Sequence, residues 1–518
     1  MSSAAQSKPL AMSVPTKQQK EQKDKPTTFA RIVAPDSFEI EAHYYNRVLN
    51  AQRHPLVESF MKLSNKIIAA RYCHLHPNTD EKALKTLLET PREYFRWSGA
   101  DLFSVTDNNG KKQMIVIETN SCPSGNKSLP LMADSVEKDS NYHKLLMHAF
   151  WPQVQSFKGT GALAVVYDKN DMENSGYAAA LADISEEKVY IAKWKNDDPD
   201  PPAKICGGQL FVRDENMHWI PIRAAYRYVT QQPWARIPCA TPKTFIFNPI
   251  ICCLAGGRNK MCADKAYEFW NHKNWKHGLS VRTPVTIRDV CKKEVPIWIK
   301  SMGGCAVVKN PYSNAGQGVY TICSEQELKS FMDEDHRYDK FIVQSLVGNH
   351  EWSSDIKGKK YYHTGTVPNR KGETFCADLR LMVCSGKKGF KVVSMYARRA
   401  AKALTKKAPR GMESWAQLGT NLSIKLGENK WDTDTRRLML MDSRDFNKLG
   451  LGLDDLIDAY IQTISAVTAI DNMAKELMKG GKFDRALYAS VNNDQSLLDE
   501  IIEGDEVEAE SDLLSSRS

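Results

Sequence analysis

The stretch that most constrains how this chain can fold is residues 99–130, GADLFSVTDNNGKKQMIVIETNSCPSGNKSLP. Apolar runs flank a polar tip, Asp107-Asn108-Asn109-Gly110, and the second run, Met114 to Ile117, ends in an acid, a spacer, an amide and a Pro/Ser/Gly turn. That is the pattern of a β-hairpin. Side chains two apart on a strand share a face, so Glu118 and Asn120 converge on one point, with Asp101 across the hairpin from them. Two carboxylates and an amide oxygen are hard ligands of the kind that hold magnesium and leave positions for phosphate oxygens. Read from the residues alone, the pattern equally suits a hairpin whose polar ends cap a strand.

A chain of 518 residues with 42% hydrophobic content can bury two or three subdomains. It has no run of about 18 apolar residues and opens on no signal peptide, so a soluble, cytoplasmic protein without membrane partners is expected. Its twelve cysteines are scattered, several inside apolar runs (Cys252, Cys253, Cys305, Cys376, Cys384), and no C-x-x-C or zinc spacing occurs. Buried reduced thiols are the expectation. A net charge of +9 suits nucleotide phosphates and solvated lysines alike, and no nucleic-acid motif accompanies it.

In chain order, residues 1–27 lack periodicity and read as a disordered basic tail. Residues 28–130 carry helically spaced apolar positions (Val57, Phe60, Ile68, then Leu84, Leu87, Leu88) leading to the hairpin. Over 131–255, strands such as ALAVVYD (162–168) and KVYIAKW (188–194) alternate with helical stretches, which predicts an open α/β sheet. Arg223, Tyr226 and Arg227 near a strand end are substrate contacts or ordinary surface residues. Residues 256–480 open with an Asn259-Lys260 helix start. A strand then runs into Lys309 and a loop holding Gly316 and Gly318, where backbone amides can approach phosphates and the lysine supplies a point charge. Further on, ADLRLMV (377–383) places Asp378 and Arg380 on one face, and Arg398 follows in VVSMYARRAAK (392–402). Arginine forks bind two oxygens of a phosphoryl group; the basic run from Arg398 to Lys407 also suits a solvated face. A long helix over 453–478 precedes residues 481–518, which read as an acidic disordered tail.

Through Asp101, Glu118, Asn120, Pro123 and Gly125 the hairpin resembles the magnesium-binding end of ATP-grasp enzymes, D-x(n)-E-x-N-x-x-P-G, with one extra residue between proline and glycine. In that family the hairpin normally closes the catalytic domain, whereas here most of the chain follows it and the front-half motifs lie downstream. The resemblance therefore implies a fold of α/β (α+β) class: a circularly permuted ATP-grasp domain with a preceding open α/β subdomain. It implies Asp101, Glu118 and Asn120 as ligands of Mg2+ or Mn2+, and Lys260, with Lys265 as its competitor, as the first phosphate-side lysine. Lys309, Gly316 and Gly318 would meet the ATP phosphates. In FIVQSLVGNHEW (341–352), similar to the adenine-binding linker, Gln344 stands where an acid is usual. Gln344 and the backbone of Leu346 would then meet adenine, and Glu351 the ribose. Arg380 and Arg398 become the catalytic residues and Asn421 a nucleotide contact. Ser128 is a substrate contact similar to the serine turn of dipeptide ligases, or a simple turn serine; Arg223 is the second substrate candidate.

The implied activity is an ATP-dependent carboxylate-amine ligase, forming an amide or peptide bond through an acyl phosphate and releasing ADP and phosphate. The alternatives are an ATP-grasp small-molecule kinase and a non-catalytic nucleotide-binding interaction protein. Small carboxylate and amine partners of amino-acid or peptide type are expected, no nucleic acid, and an assembly that admits a homodimer.

Overall fold

The structure is a computed structural model that describes residues 28–132, 140–195, 198–229, 236–313, 318–427 and 430–501. The expectations for the basic tail, for Gly316 and for the chain beyond 501 lie outside the described residues.

The hairpin forms as expected. Strands Trp97–Asp107 and Lys112–Asn120 pair antiparallel, with Asp101 opposite Glu118 and Gly99 opposite Asn120. The Asp107 carboxylate accepts from the amides of Asn109 and Lys111, and Gly110 takes the positive φ of +77° that the tip demands. On its other edge the Trp97–Asp107 strand pairs with Ala377–Gly386 and Lys359–His363, and the sheet continues through Gly389–Arg399 to Leu438–Met439. This seven-stranded sheet joins the hairpin to segments far downstream in the chain.

A four-stranded antiparallel sheet, in the order Thr286–Cys291, Lys340–Ser345, Ala306–Lys309, Val319–Ile322, faces it. Its outer side buries Val308, Ile322, Phe341 and Val343 with Ile299 and Phe331 of the helices Val295–Ser301 and Glu325–Asp333. Alternation along the strands turns Val307, Lys309, Val319 and Thr321 the other way, toward a cavity.

The open α/β sheet is also present. Ala162–Tyr167 runs parallel to both Val189–Lys193 and Trp219–Tyr228, and Phe245–Phe247 runs parallel to the latter. The boundary expected at residue 131 needs one correction: Arg31–Val33, ahead of the hairpin, pairs with Val189–Lys193 as an edge strand of this sheet.

The helix Leu453–Leu477 packs along the hairpin. Asp458 accepts from the amide of Met114 and pairs with Arg282, and the fully buried Asp471 accepts from the amides of Tyr94 and Phe95 at 2.8 and 2.9 Å. The last turns of this helix thus lie against the residues that lead into the hairpin. Asp471→Ala should cost about 3 kcal/mol, because it strands buried amide donors. Urea unfolding with an unchanged slope and a lower midpoint is the expected readout; Asp471→Asn, which keeps an acceptor oxygen, should lose less.

The tail expected to be disordered from 481 is corrected up to 501. Helices Arg485–Val491 and Gln495–Leu498 bury Tyr488, Leu497 and Leu498 in the core, Ile501 just beyond them is buried too, and the Tyr488 hydroxyl accepts from the Asn259 amide. Apolar residues spaced through this acidic stretch supply the packing that its charge obscures. Among the described residues no helix is long and apolar enough to cross a membrane.

Candidate active site

A cavity of about 380 Å3 opens between the two antiparallel sheets and reaches the carboxyl ends of the parallel strands Ala162–Tyr167 and Trp219–Tyr228. Strand register builds its charged wall. Arg380 lies opposite Asp101, and Arg398 lies opposite Asp378. The Arg380 guanidinium donates through Nε and Nη2 to the two Asp101 oxygens at 2.5 and 2.6 Å. Arg398 donates to Asp101 at 2.8 Å and, through Nε at 3.0 Å and again through Nη2, to Asp378. Thr420 donates to Asp378 as well. Burial alone would raise the Asp101 carboxyl, but Arg380 and Arg398 outweigh it and hold the group well below the usual carboxylate range.

This geometry gives Asp101 a role beside the expected one. Both its oxygens are engaged by guanidinium groups, so it orients Arg380 and Arg398. Glu118 and Asn120 are the other two residues of the expected set. Both line the cavity, and the buried Asn120 Nδ2 has no hydrogen-bond partner among the described residues. One carboxylate and one amide oxygen fit magnesium, which usually takes one or two protein ligands and fills the rest with water and substrate phosphate.

Lys260, at the start of the helix Lys260–Asn274, is directed by the Asn259 cap, whose side chain accepts from the amides of Met261 and Cys262. Its Nζ contacts the Ser313 carbonyl at 2.5 Å and lies 3.8 Å from Glu118. Lys309 Nζ is 3.4 Å from the Ile117 carbonyl. Burial pulls both ammonium groups down, Lys309 to about 8, against the opposing pull of Glu118. Lys265 leaves the site: it donates to the Val491 carbonyl and lies 3.8 Å from Asp289, so Lys260 is the cavity lysine. Gly318 adopts φ +64°, and a Cβ there would meet the Asn310 Cβ at 2.8 Å.

Gln344 lines the cavity and donates to Thr286 at 2.8 Å. Leu346 is corrected: its amide donates to Ser354 Oγ and its carbonyl accepts from the Ser354 amide, which consumes the backbone groups expected to meet a base. Ser345 and Val347 take the wall instead. Glu351 is corrected too, its side chain 71% exposed beside His350 and outside the cavity. Arg223 is bound to the Gly161 carbonyl and to Glu187, away from the site. Tyr226 and Arg227 are fully buried, with Arg227 spent on the carbonyls of Asn248 and Val229. Ser128 and Asn421 line the cavity.

No family model matches the chain, and no curated protein matches it. Solved structures are similar to it at low identity. A protein provisionally named gamma-glutamylcysteine synthetase, from Methylobacillus flagellatus, aligns at 11% identity and TM-score 0.41 over 82% of this chain and 99% of its own. A glutathione synthetase-like effector from Globodera pallida aligns at 12% and 0.33 over 67% and 86%. A RimK-domain ATP-grasp protein from Sphaerobacter thermophilus aligns at 13% and 0.25 over 45% and 90%.

Sequence reasoning missed the cavity's other end. Lys169 and Asn170 follow the Ala162–Tyr167 strand, Tyr228 ends the Trp219–Tyr228 strand, and Lys127 and Arg258 close the wall. Burial lowers Lys169 to about 8. The signal was present, because ligands of open α/β sheets sit beyond the carboxyl ends of parallel strands. The fully buried Glu173 holds the turn that presents Lys127 and Ser128, accepting from Ser124 Oγ and from the amides of Gly125 and Asn126.

Proposed function

We propose that this protein is an ATP-dependent carboxylate-amine ligase built on a circularly permuted ATP-grasp fold. The observation that carries the reading is the convergence of Lys260, Lys309, Glu118, Asn120, Arg380 and Arg398 on one cavity between two antiparallel sheets. The packing of Asp471 against the residues entering the hairpin supports the permutation. It sets the end of the long helix beside the start of the element that would follow it in an unpermuted chain.

In this reading Lys260 and Lys309 hold the ATP phosphates, and Ser345 and Val347 wall the base. Magnesium held by Glu118 and Asn120 would neutralise phosphate charge. Arg380 and Arg398, locked by Asp101 and Asp378, present fixed donors to the phosphoryl group as it moves to the substrate carboxylate. Lys127, Ser128 and Lys169 orient that acid. No side-chain nucleophile is required, since positioning and charge neutralisation lower the barrier. Attack by an amine on the acyl phosphate then gives the amide.

Incubation of the protein with Mg-ATP, pooled amino acids, small carboxylic acids and hydroxylamine should yield ADP and a hydroxamate by mass spectrometry, both absent with Glu118→Gln. AMP in place of ADP would sink the mechanism, and a stable phosphorylated hydroxyl compound would replace the ligase with a kinase.

A further inference from the structure

Two cysteines that the proposed chemistry does not use sit on the cavity-facing side of the four-stranded sheet. Strands Ala306–Lys309 and Val319–Ile322 pair with Lys309 opposite Val319, Val307 opposite Thr321 and Ala306 opposite Ile322. Continuing the register by one residue sets Cys305 opposite Cys323. Alternation puts both on the face that carries Val307 and Thr321, residues of the cavity wall. Each thiol is near enough to shift the other's titration. They share an apolar cluster with Val307, Leu346, Trp352 and Leu418. Directly opposed residues of an antiparallel pair have Cβ atoms about 4.5–5.5 Å apart, within a small adjustment of disulfide geometry.

The neighbouring Cys323 thiol holds the Cys305 thiol below its ordinary range, whereas Cys305, with burial, raises Cys323. Burial raises Cys122, Cys252, Cys262, Cys376 and Cys384, which marks those thiols as inert.

We propose that Cys305 and Cys323 form an oxidation site at which a hydroperoxide closes a cross-strand disulfide behind the cavity wall, in the apolar cluster of Val307 and Leu418. The Cys305 thiolate attacks the terminal peroxide oxygen, breaking the O–O bond and releasing the reduced oxygen as water or alcohol after proton uptake. The resulting sulfenic acid is attacked by Cys323, which forms the S–S bond, loses its proton and expels hydroxide as water. Two thiols are oxidised and one peroxide is reduced. The bond would tie together the two strands that run into and out of the 310–318 loop, two residue pairs beyond Val307 and Thr321.

The test uses the full chain and hydrogen peroxide. After limited oxidation, alkylation and digestion, mass spectrometry should find the Cys305 and Cys323 peptides joined with the loss of two hydrogen atoms. In Cys323→Ser, dimedone should label Cys305 as a sulfenic acid, roughly tenfold faster than Cys252 or Cys376. Reduction with dithiothreitol should restore the starting peptides. Joined peptides involving other cysteines, or oxidation of Cys305 in the wild type without linkage to Cys323, would overturn the proposal, as would equal labelling of all thiols. Far-ultraviolet circular dichroism checks that the variant folds, and Cys323→Ala provides a second background for the same labelling.

Discussion

Arg380→Lys lowers ATP-dependent turnover by about two to three orders of magnitude while leaving ATP affinity largely intact. The reason is geometric. The guanidinium spans both Asp101 oxygens and is thereby fixed in a buried site, with the Tyr396 ring 5.9 Å below its centre. A lysine ammonium keeps the charge but meets only one oxygen at a time, so the donor array facing the reacting phosphoryl group loses its fixed direction. Steady-state ADP release with the acid found by hydroxamate trapping gives kcat, and calorimetry gives the nucleotide Kd. A fall confined to kcat is expected. Unchanged turnover would remove the arginine pair from the chemistry. Arg380→Ala adds a structural penalty of about 3 kcal/mol, the lower part of the range for breaking a buried ion pair, because Arg398 still covers Asp101.

Lys309→Met weakens ATP binding by one to two orders of magnitude, the span expected for removing a charged hydrogen-bond donor, yet it stabilises the ligand-free protein. Burial disfavours the charged lysine and brings its titration down to about 8 from 10.5. A group depressed in this way favours the folded state above the unfolded value and loses that contribution as pH falls through the folded one. The Lys309 contribution to stability, read as the wild type minus Lys309→Met difference, should therefore rise between about pH 8 and 10.5. At neutral pH, methionine should gain on the order of 3 kcal/mol over the charged lysine. ATP phosphates restore the charge, so binding takes up a proton above about pH 8 and affinity falls as pH rises. Below that pH the lysine is already protonated and the dependence flattens. Calorimetry in buffers of different ionisation enthalpy reads the uptake directly, and Lys309→Met should lose most of it. Lys169 titrates in the same range, and the proton uptake left in the variant measures its share.

Local pattern was sufficient for the hairpin, because period-two alternation and a turn residue with positive φ are encoded within a few positions. The same holds for the helix start at Asn259, where one side chain meets amides two and three residues on. It was also sufficient for the faces of Glu118 with Asn120 and of Asp378 with Arg380. It failed where a residue's partner was distant. Leu346 looked open for a ligand until Ser354 took its backbone groups, and Arg223 looked like a contact until Glu187 and Gly161 claimed it. Residues 482–501 read as tail because net charge hides a few well-spaced apolar anchors such as Tyr488 and Leu497.

By itself, then, the sequence determined the elements, their faces and the set of phosphate-compatible residues. Only the tertiary structure decided that Asp101 meets two arginines 279 and 297 residues away. Side-chain direction follows from backbone periodicity over a few residues, but the identity of a charge's partner depends on the register between strands that local sequence does not encode.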